Sequence, residues 1–314
     1  MPTLFRQRPR SAAISTRPRL PTAAALASAI IAVLVLATGC TSELVPEPAP
    51  ETESRQRPRI VASDALLADA IAAMTGRAIQ VDALVPADVD PATAEPTGAD
   101  LARLQAADLV VVFELDYAPH FRPLLEEVAA TEVEVLQISP LMDPFEAGSD
   151  GGEPSRYIWH DPERMAEGLD AAFERMGQLR VELATDEIEA AFADYQDELV
   201  RIDREMAEAL APIPLEETVL LTAGAELDYL AERYGFEIRD ISTEGALDEL
   251  AAADRGVVFG DVIGVRPRTL PQSTTFVTLH TRALARLGNP ADTYRGLLLD
   301  NVQAIVAASE AGPR

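Results

Sequence analysis

Between Asp186 and Ala211 the apolar residues Ile188, Phe192, Tyr195, Leu199, Ile202, Met206 and Leu210 recur at steps of three and four. That spacing draws one apolar stripe down a helix whose other faces carry Glu, Asp and Arg. At 1.5 Å per residue the helix spans about 39 Å. This is long for a helix inside one small domain, and the sequence on each side of it reads independently as alternating strands and helices. The stretch therefore reads as a spine between two α/β lobes. An ordinary long surface helix in a single domain is the plainer alternative.

The chain opens with a basic leader, Arg6, Arg8, Arg10, Arg17 and Arg19, without acids. An apolar run from about Ala23 to Ala37 follows, and then Thr38, Gly39 and Cys40. In outline this is a bacterial lipoprotein signal, with the Cys40 thiol as the point of lipid attachment. An uncleaved membrane anchor with a chance cysteine is the alternative, against which the run is somewhat short for a span. Either reading puts the body outside the cytoplasmic membrane. Residues 41–58 are rich in Pro and Glu and lack apolar periodicity, as expected of a solvated tether.

About 255 residues follow Arg59, enough for two modest domains with their own cores. The formal charge of the whole chain is −26, and without the five leader arginines it becomes −31. So acidic a surface argues against nucleic acid or anionic lipid as a partner, since both need a basic footprint. Cations remain compatible with it. Cys40 is the only cysteine, which excludes disulfides and thiolate metal sites from the body.

The first lobe is expected over residues 59–160. Ile60 and Val61 begin a strand, and Ser63 or Asp64 caps the helix carrying Leu66, Leu67, Ile71 and Met74. Ile79 to Leu84 is a second strand, and Thr97 with Asp100 has capping-box spacing ahead of a helix from Leu101 to Ala106. Leu109 to Phe113 is a continuous apolar run, as in a strand buried on both faces, and Val133 to Ile138 follows the helix around Phe121 to Val128. Strands alternating with helices imply a parallel sheet, with its ligand loops at the strand C-terminal ends. An acidic, Gly-rich loop runs from Asp143 to Arg156. Asp161 before Pro162 is a strong helix start, a capping carboxylate with Pro at the first helical position. The connecting helices occupy residues 161–213.

The second lobe, residues 214–314, repeats the pattern. Strands are expected at Thr218 to Thr222, Glu237 to Ile241, Val257 to Phe259 and Thr275 to Leu279. Helices are expected at Glu226 to Tyr234, Leu247 to Ala253 and Asp292 to Ala308. The fold class is therefore α/β, two four-stranded parallel-sheet lobes on a long spine helix, a clamshell with limited hinge motion.

Taken in order, Ile60-Val61-Ala62-Ser63, Val85-Pro86 through Asp90-Pro91 to Glu95-Pro96-Thr97, Tyr157-Ile158-Trp159-His160-Asp161-Pro162, Leu221-Thr222 and the last helix with Tyr294 resemble the zinc and manganese substrate-binding lipoproteins of ABC importers. The likeness covers nearly the whole chain after Cys40. It implies a monomeric two-lobe receptor, not an enzyme, held at the cell membrane by lipid on Cys40. Such a receptor hands a divalent metal, zinc or manganese, to an ABC permease and its ATPase.

The resemblance also marks metal-ligand positions, and here they are changed. A histidine after the Asp-Pro of the first motif is replaced by Ala92, one opening the Trp-x-Asp-Pro motif by Tyr157, and one after the first strand of the second lobe by Gly224. A fourth, acidic position falls at His280, with Asp261 as a neighbouring acid. A tight zinc site needs three or four imidazoles, thiolates or carboxylates converging on one point, and the chain has three histidines. His280, extrapolated onto one strand face with Phe276 and Thr278, either lines the ligand site or is a strand-end residue. His160 reads as a helix-start residue and His120 as a surface one. Oxygen donors offer a substitute: Glu95, Asp261 and Tyr157 with His280 would form a harder site, better suited to manganese than to zinc. The plainer reading of Glu95 is that it holds its own loop beside Pro96-Thr97, and Asp261 reads either as cleft lining or as its own loop turn. Arg266 and Arg268 add positive charge nearby, which suits an anion better than a cation, although a solvated loop is their plainer reading.

No phosphate-binding Gly-rich loop with Lys, no Gly-x-Ser-x-Gly and no His-Glu-x-x-His is present. The acids from Asp143 to Glu153 lack the spacing of a calcium loop. Three readings stand. The first is a metal receptor with a rebuilt site. The second is the same scaffold with a changed, organic or metal-complexed ligand, similar to actinobacterial relatives that occur with surface-anchored repeat proteins. The third is a surface adhesin or scaffold without a small ligand.

Overall fold

The computed structural model describes residues 58–145, 155–179, 185–214, 219–241, 256–262, 270–272 and 274–311, with 245, 248 and 250. The first sheet is built from β1 (Arg59–Asp64), β2 (Gln80–Val85), β3 (Leu109–Val112) and β4 (Glu134–Gln137), in the order β2-β1-β3-β4. Every pairing is parallel, with Ile60 opposite both Val81 and Leu109. β1 and β3 are buried along nearly their whole length. This is the burial expected of central strands covered by helices on both faces. The helices are α1 (Ala65–Met74), α2 (Gly98–Gln105) and α3 (Arg122–Ala129).

Local chemistry starts α1 and α2 where the sequence places a cap. Asp64 accepts from the backbone N–H groups of Leu66 and Leu67 at 2.8 and 3.1 Å, occupying donors that the first turn of α1 leaves unpaired. Burial pushes the Asp64 carboxyl above the usual range, against the hydrogen bonds from Ser63, Leu67 and Leu66. Thr97 and Asp100 form the expected capping box on α2.

The second sheet repeats the order of the first. β5 (Val219–Thr222), β6 (Glu237–Asp240), β7 (Gly256–Asp261) and β8 (Thr274–Leu279) run in the order β6-β5-β7-β8, all parallel. α6 (Asp228–Tyr234) ends on Gly235, whose φ of 80° is the left-handed geometry that glycine adopts without strain. The helix expected over Leu247 to Ala253 lies almost wholly outside the described residues, as do most of the Asp143 to Arg156 loop and both Arg266 and Arg268.

Between the sheets run α4 (Pro162–Leu179) and α5 (Asp186–Leu210), and the chain closes with α7 (Tyr294–Ala311). The spine is thus 25 residues long, and its stripe is real: Ile188, Leu199, Ile202, Met206 and Leu210 are buried. Phe192 stacks on Phe173 of α4 at 4.0 Å between ring centres. α5 packs against α1, α4 and α7, so that one spine serves helices that flank both sheets. Arg233 binds Asp203 of the spine through two nitrogens at 2.9 and 2.8 Å, and Arg295 of α7 reaches Glu198 and Glu205 at 2.6 and 2.8 Å. The Arg295 pairs are partly exposed and set register more than they add stability. One core cluster runs continuously from Ile60 and Leu67 through Trp159, Met165 and Leu199 to Tyr229, Leu279 and Tyr294. Among the described residues no helix is long and apolar enough to cross a membrane.

Candidate functional site

Parallel sheets present ligands to the loops at the carboxyl ends of their strands, and here those loops from both sheets meet. Asp90 follows β2, Tyr117 follows β3, Glu226 follows β5 and Arg282 follows β8. Arg156 and Tyr157 come from the segment just before α4. Asp90, Pro91, Ala92, Tyr117, Arg156, Tyr157 and Arg282 line a cavity of about 240 Å³. Arg156 also borders a second cavity, of about 260 Å³, with Glu114, Asp116, Ser139, Phe145 and Tyr229.

At the centre of the first cavity wall stands Arg282. Its Nη1 donates to Asp90 Oδ2 at 2.8 Å, and its Nη2 and Nε donate to Glu226 Oε1 at 2.6 and 3.2 Å. The guanidinium carbon lies 5.9 Å from the centre of the Tyr157 ring. Glu226 and Asp90 are 5 % and 12 % exposed and Arg282 21 %, so these are largely desolvated, charge-assisted bonds. Burial works against the charge on Arg282; Tyr157, Glu226 and Asp90 outweigh it and hold its pKa above the ordinary arginine value.

The backbone that presents this arginine is itself pinned. Asp261, at the end of β7, accepts from the Thr281 N–H at 2.7 Å, the Thr281 hydroxyl at 2.7 Å and the Arg282 N–H at 2.9 Å, all on one oxygen. Tyr117 donates its hydroxyl to the Arg282 carbonyl at 3.4 Å. The Trp159 indole N–H donates to the Thr281 carbonyl at 3.1 Å, and Ser155 donates to the Ala225 carbonyl at 2.7 Å. Asp161 caps α4 by accepting from Glu163 and Arg164 N–H groups, as its place before Pro162 requires.

Of the residues singled out from the sequence, Tyr157 lines the cavity, and burial pushes its hydroxyl above the usual tyrosine range. It is a neutral phenol at pH 7, a poor metal donor, because metal ligands bind deprotonated. Asp261 is buried behind the site as the clamp just described. His280 is half-buried, and its N–H and carbonyl are both engaged by the Asn301 side chain at 2.8 Å. Glu95 is exposed and is not among the residues lining the cavity. Among the described residues no three His, Cys, Asp or Glu side chains converge as a metal-binding group, so Glu95, Asp261 and His280 are not brought together. His120 is exposed on a short turn, as expected. His160 is fully buried at the turn into α4, where its Nδ1 faces the Tyr157 carbonyl at 3.2 Å. A carbonyl only accepts, so Nδ1 carries the proton, and burial lowers the ring pKa to about 4.

Sequence reasoning missed Arg282 and Glu226. The sequence pattern starts a helix at Glu226, whereas the helix begins at Asp228 and Glu226 tucks its carboxylate against Gly224. The one signal for Arg282 is its position just past a strand's carboxyl end.

Comparison with known proteins agrees with this architecture. The manganese-binding lipoprotein MntA of Halalkalibacterium halodurans is 24 % identical over 298 residues, covering 88 % of this chain and 96 % of its own. The zinc-binding protein TroA of Treponema pallidum is 21 % identical over 277 residues, covering 80 % and 89 %. The solved structure of that periplasmic zinc-binding protein superposes with a TM-score of 0.68 at 20 % identity, over 81 % of this chain and 99 % of the other. The manganese-bound periplasmic metal-binding protein of Candidatus Liberibacter asiaticus superposes with a TM-score of 0.70 at 17 % identity, over 81 % and 100 %. The family model for ZnuA, the periplasmic component A of the zinc-uptake complex, matches residues 60–256, and the chain belongs to that family of solute-binding proteins.

Proposed function

We propose that this chain is the extracytoplasmic substrate-binding lipoprotein of an ABC importer, tethered through lipid on Cys40, and that it takes its cargo where the two sheets' loops meet. The observation that carries this reading is the cavity beside Asp90, Tyr157 and Arg282, which draws residues from loops of both sheets. Relatives named for zinc or manganese binding support a receptor of the metal-receptor class. The basic leader, apolar run and Cys40 support export and anchoring. Residues 41–58 then act as the tether, and the body delivers cargo to the permease and its ATPase.

The test has two arms. Cys40→Ala should abolish incorporation of labelled fatty acid and release the protein from the membrane fraction. Cross-linking in intact cells should join the wild-type chain to an ABC permease. A chain that is never lipidated and never meets a permease would turn the reading toward a surface adhesin or scaffold.

A further inference from the structure

We infer that Arg282 takes the place of the cargo cation: the cleft is closed by a guanidinium of the chain's own, and it does not carry a bare divalent ion. This deepens the receptor reading and rests on it. The relatives are named for zinc or manganese, and a site that holds such an ion must gather several donors, imidazoles or carboxylates, around one point. Here the donors that meet are Asp90 from the first lobe and Glu226 from the second. The cation between them is covalently part of the protein, 2.8 Å from one carboxylate and 2.6 Å from the other.

Three further features fit a built-in cation rather than a chance surface pair. The arginine's backbone is held by Asp261 and Tyr117, which fixes where its side chain starts, and the guanidinium itself is held by three hydrogen bonds to Asp90 and Glu226. Glu226 lies where a Cβ on Gly224 would meet its carboxylate at 2.6 and 3.0 Å, so that the glycine makes room for the carboxylate that grips the guanidinium. The other side chains of the wall are the phenols of Tyr117 and Tyr157, the guanidinium of Arg156, Pro91 and the methyl group of Ala92, and none of them is an anionic or imidazole donor. A divalent ion entering this cleft would have to displace a cation already paired with both carboxylates. A larger solute could still occupy the cavity beside it.

The experiment is a calorimetric titration of Zn²⁺ and Mn²⁺ into the full-length lipoprotein in detergent, wild type against Arg282→Ala. Wild type should bind neither ion more tightly than about 1 mM. Arg282→Ala uncovers two adjacent carboxylates and should gain at least about tenfold in Mn²⁺ affinity. Arg282→Gln makes the same comparison if the alanine variant does not melt cooperatively. Wild-type binding in the micromolar range overturns the inference and leaves the receptor reading standing, and so does a folded variant that binds no better than wild type. A wild-type chain that binds no metal but also never cross-links to the permease overturns the receptor reading and not the assignment of Arg282.

Discussion

The indole N–H of Trp159 reaches the carbonyl oxygen of Thr281 at 3.1 Å, joining residues 122 apart in the sequence. Trp159 is fully buried, with Phe113, Tyr117 and Tyr157 rings 4.8, 5.3 and 5.4 Å away, and its own carbonyl accepts from the Tyr294 hydroxyl at 2.7 Å. It is the point at which the first lobe, the turn that presents Arg282 and the last helix are held together. Trp159→Phe removes the donor, orphans the Thr281 carbonyl and leaves a gap among the rings. The expected cost is about 2–4 kcal/mol in chemical denaturation. A loss below about 0.5 kcal/mol would show that the tie contributes shape and little stability.

Asp261 supports the same turn from the other side. One of its oxygens accepts three hydrogen bonds, two of them from backbone N–H groups. Asp261→Ala leaves those N–H groups without that acceptor in a buried place, and about 2–4 kcal/mol of stability should be lost. Because Arg282 hangs from this turn, the variant should also loosen the arginine's grip on Asp90. Hydrogen exchange should therefore rise around residues 280–283 and 88–92 together. A rise confined to the first segment would separate the clamp from the bridge.

The fold was legible because its determinants are local and periodic. The stripe from Ile188 to Leu210, the apolar run at Leu109, the Thr97–Asp100 box and the Asp161-Pro162 start each act within a few residues, and each appears where the spacing places it. The site was less legible because it is made by residues far apart in sequence. Asp90 and Arg282 stand 192 residues from each other, and no spacing rule links them. Extending the alternation of β8 to His280 pointed two residues short. The strand ends at Leu279, and the chain turns on Asp261, with His280 tied to Asn301 rather than continuing the pleat. Tyr157, which does line the cavity, lies in a motif with strong local grammar.

Gly296 in the first turn of α7 tests a close backbone approach. A Cβ there would collide with the Pro290 carbonyl and come within 2.9 Å of the Thr293 hydroxyl. Helix propensity alone would favour Gly296→Ala by about 0.8–1 kcal/mol. The collision is with backbone rather than with a flexible side-chain end, so it should win, for a net loss of about 1–3 kcal/mol. A stabilised variant by urea midpoint would show that the 290–293 turn yields freely.

His160 should give the protein an acid-sensitive step in stability. Burial lowers its folded pKa to about 4, whereas the unfolded value is near the ordinary 6.5. Between these values the unfolded chain binds the extra proton and the folded one does not, so stability rises with pH across this window. The contribution is fully present above pH 6.5 and is lost as pH falls toward about 4, for a total of roughly 3 kcal/mol. Asp64, with its pKa raised by burial, slopes the opposite way, so the comparison must be with a variant rather than with zero slope. His160→Phe keeps a ring in the cavity and removes the titration. Its stability, measured by urea denaturation from pH 4 to 7, should lie below wild type at pH 7 and converge on it toward pH 4. Parallel curves at a constant offset would mean that the His160 ring takes up its proton equally easily in the folded and unfolded chains.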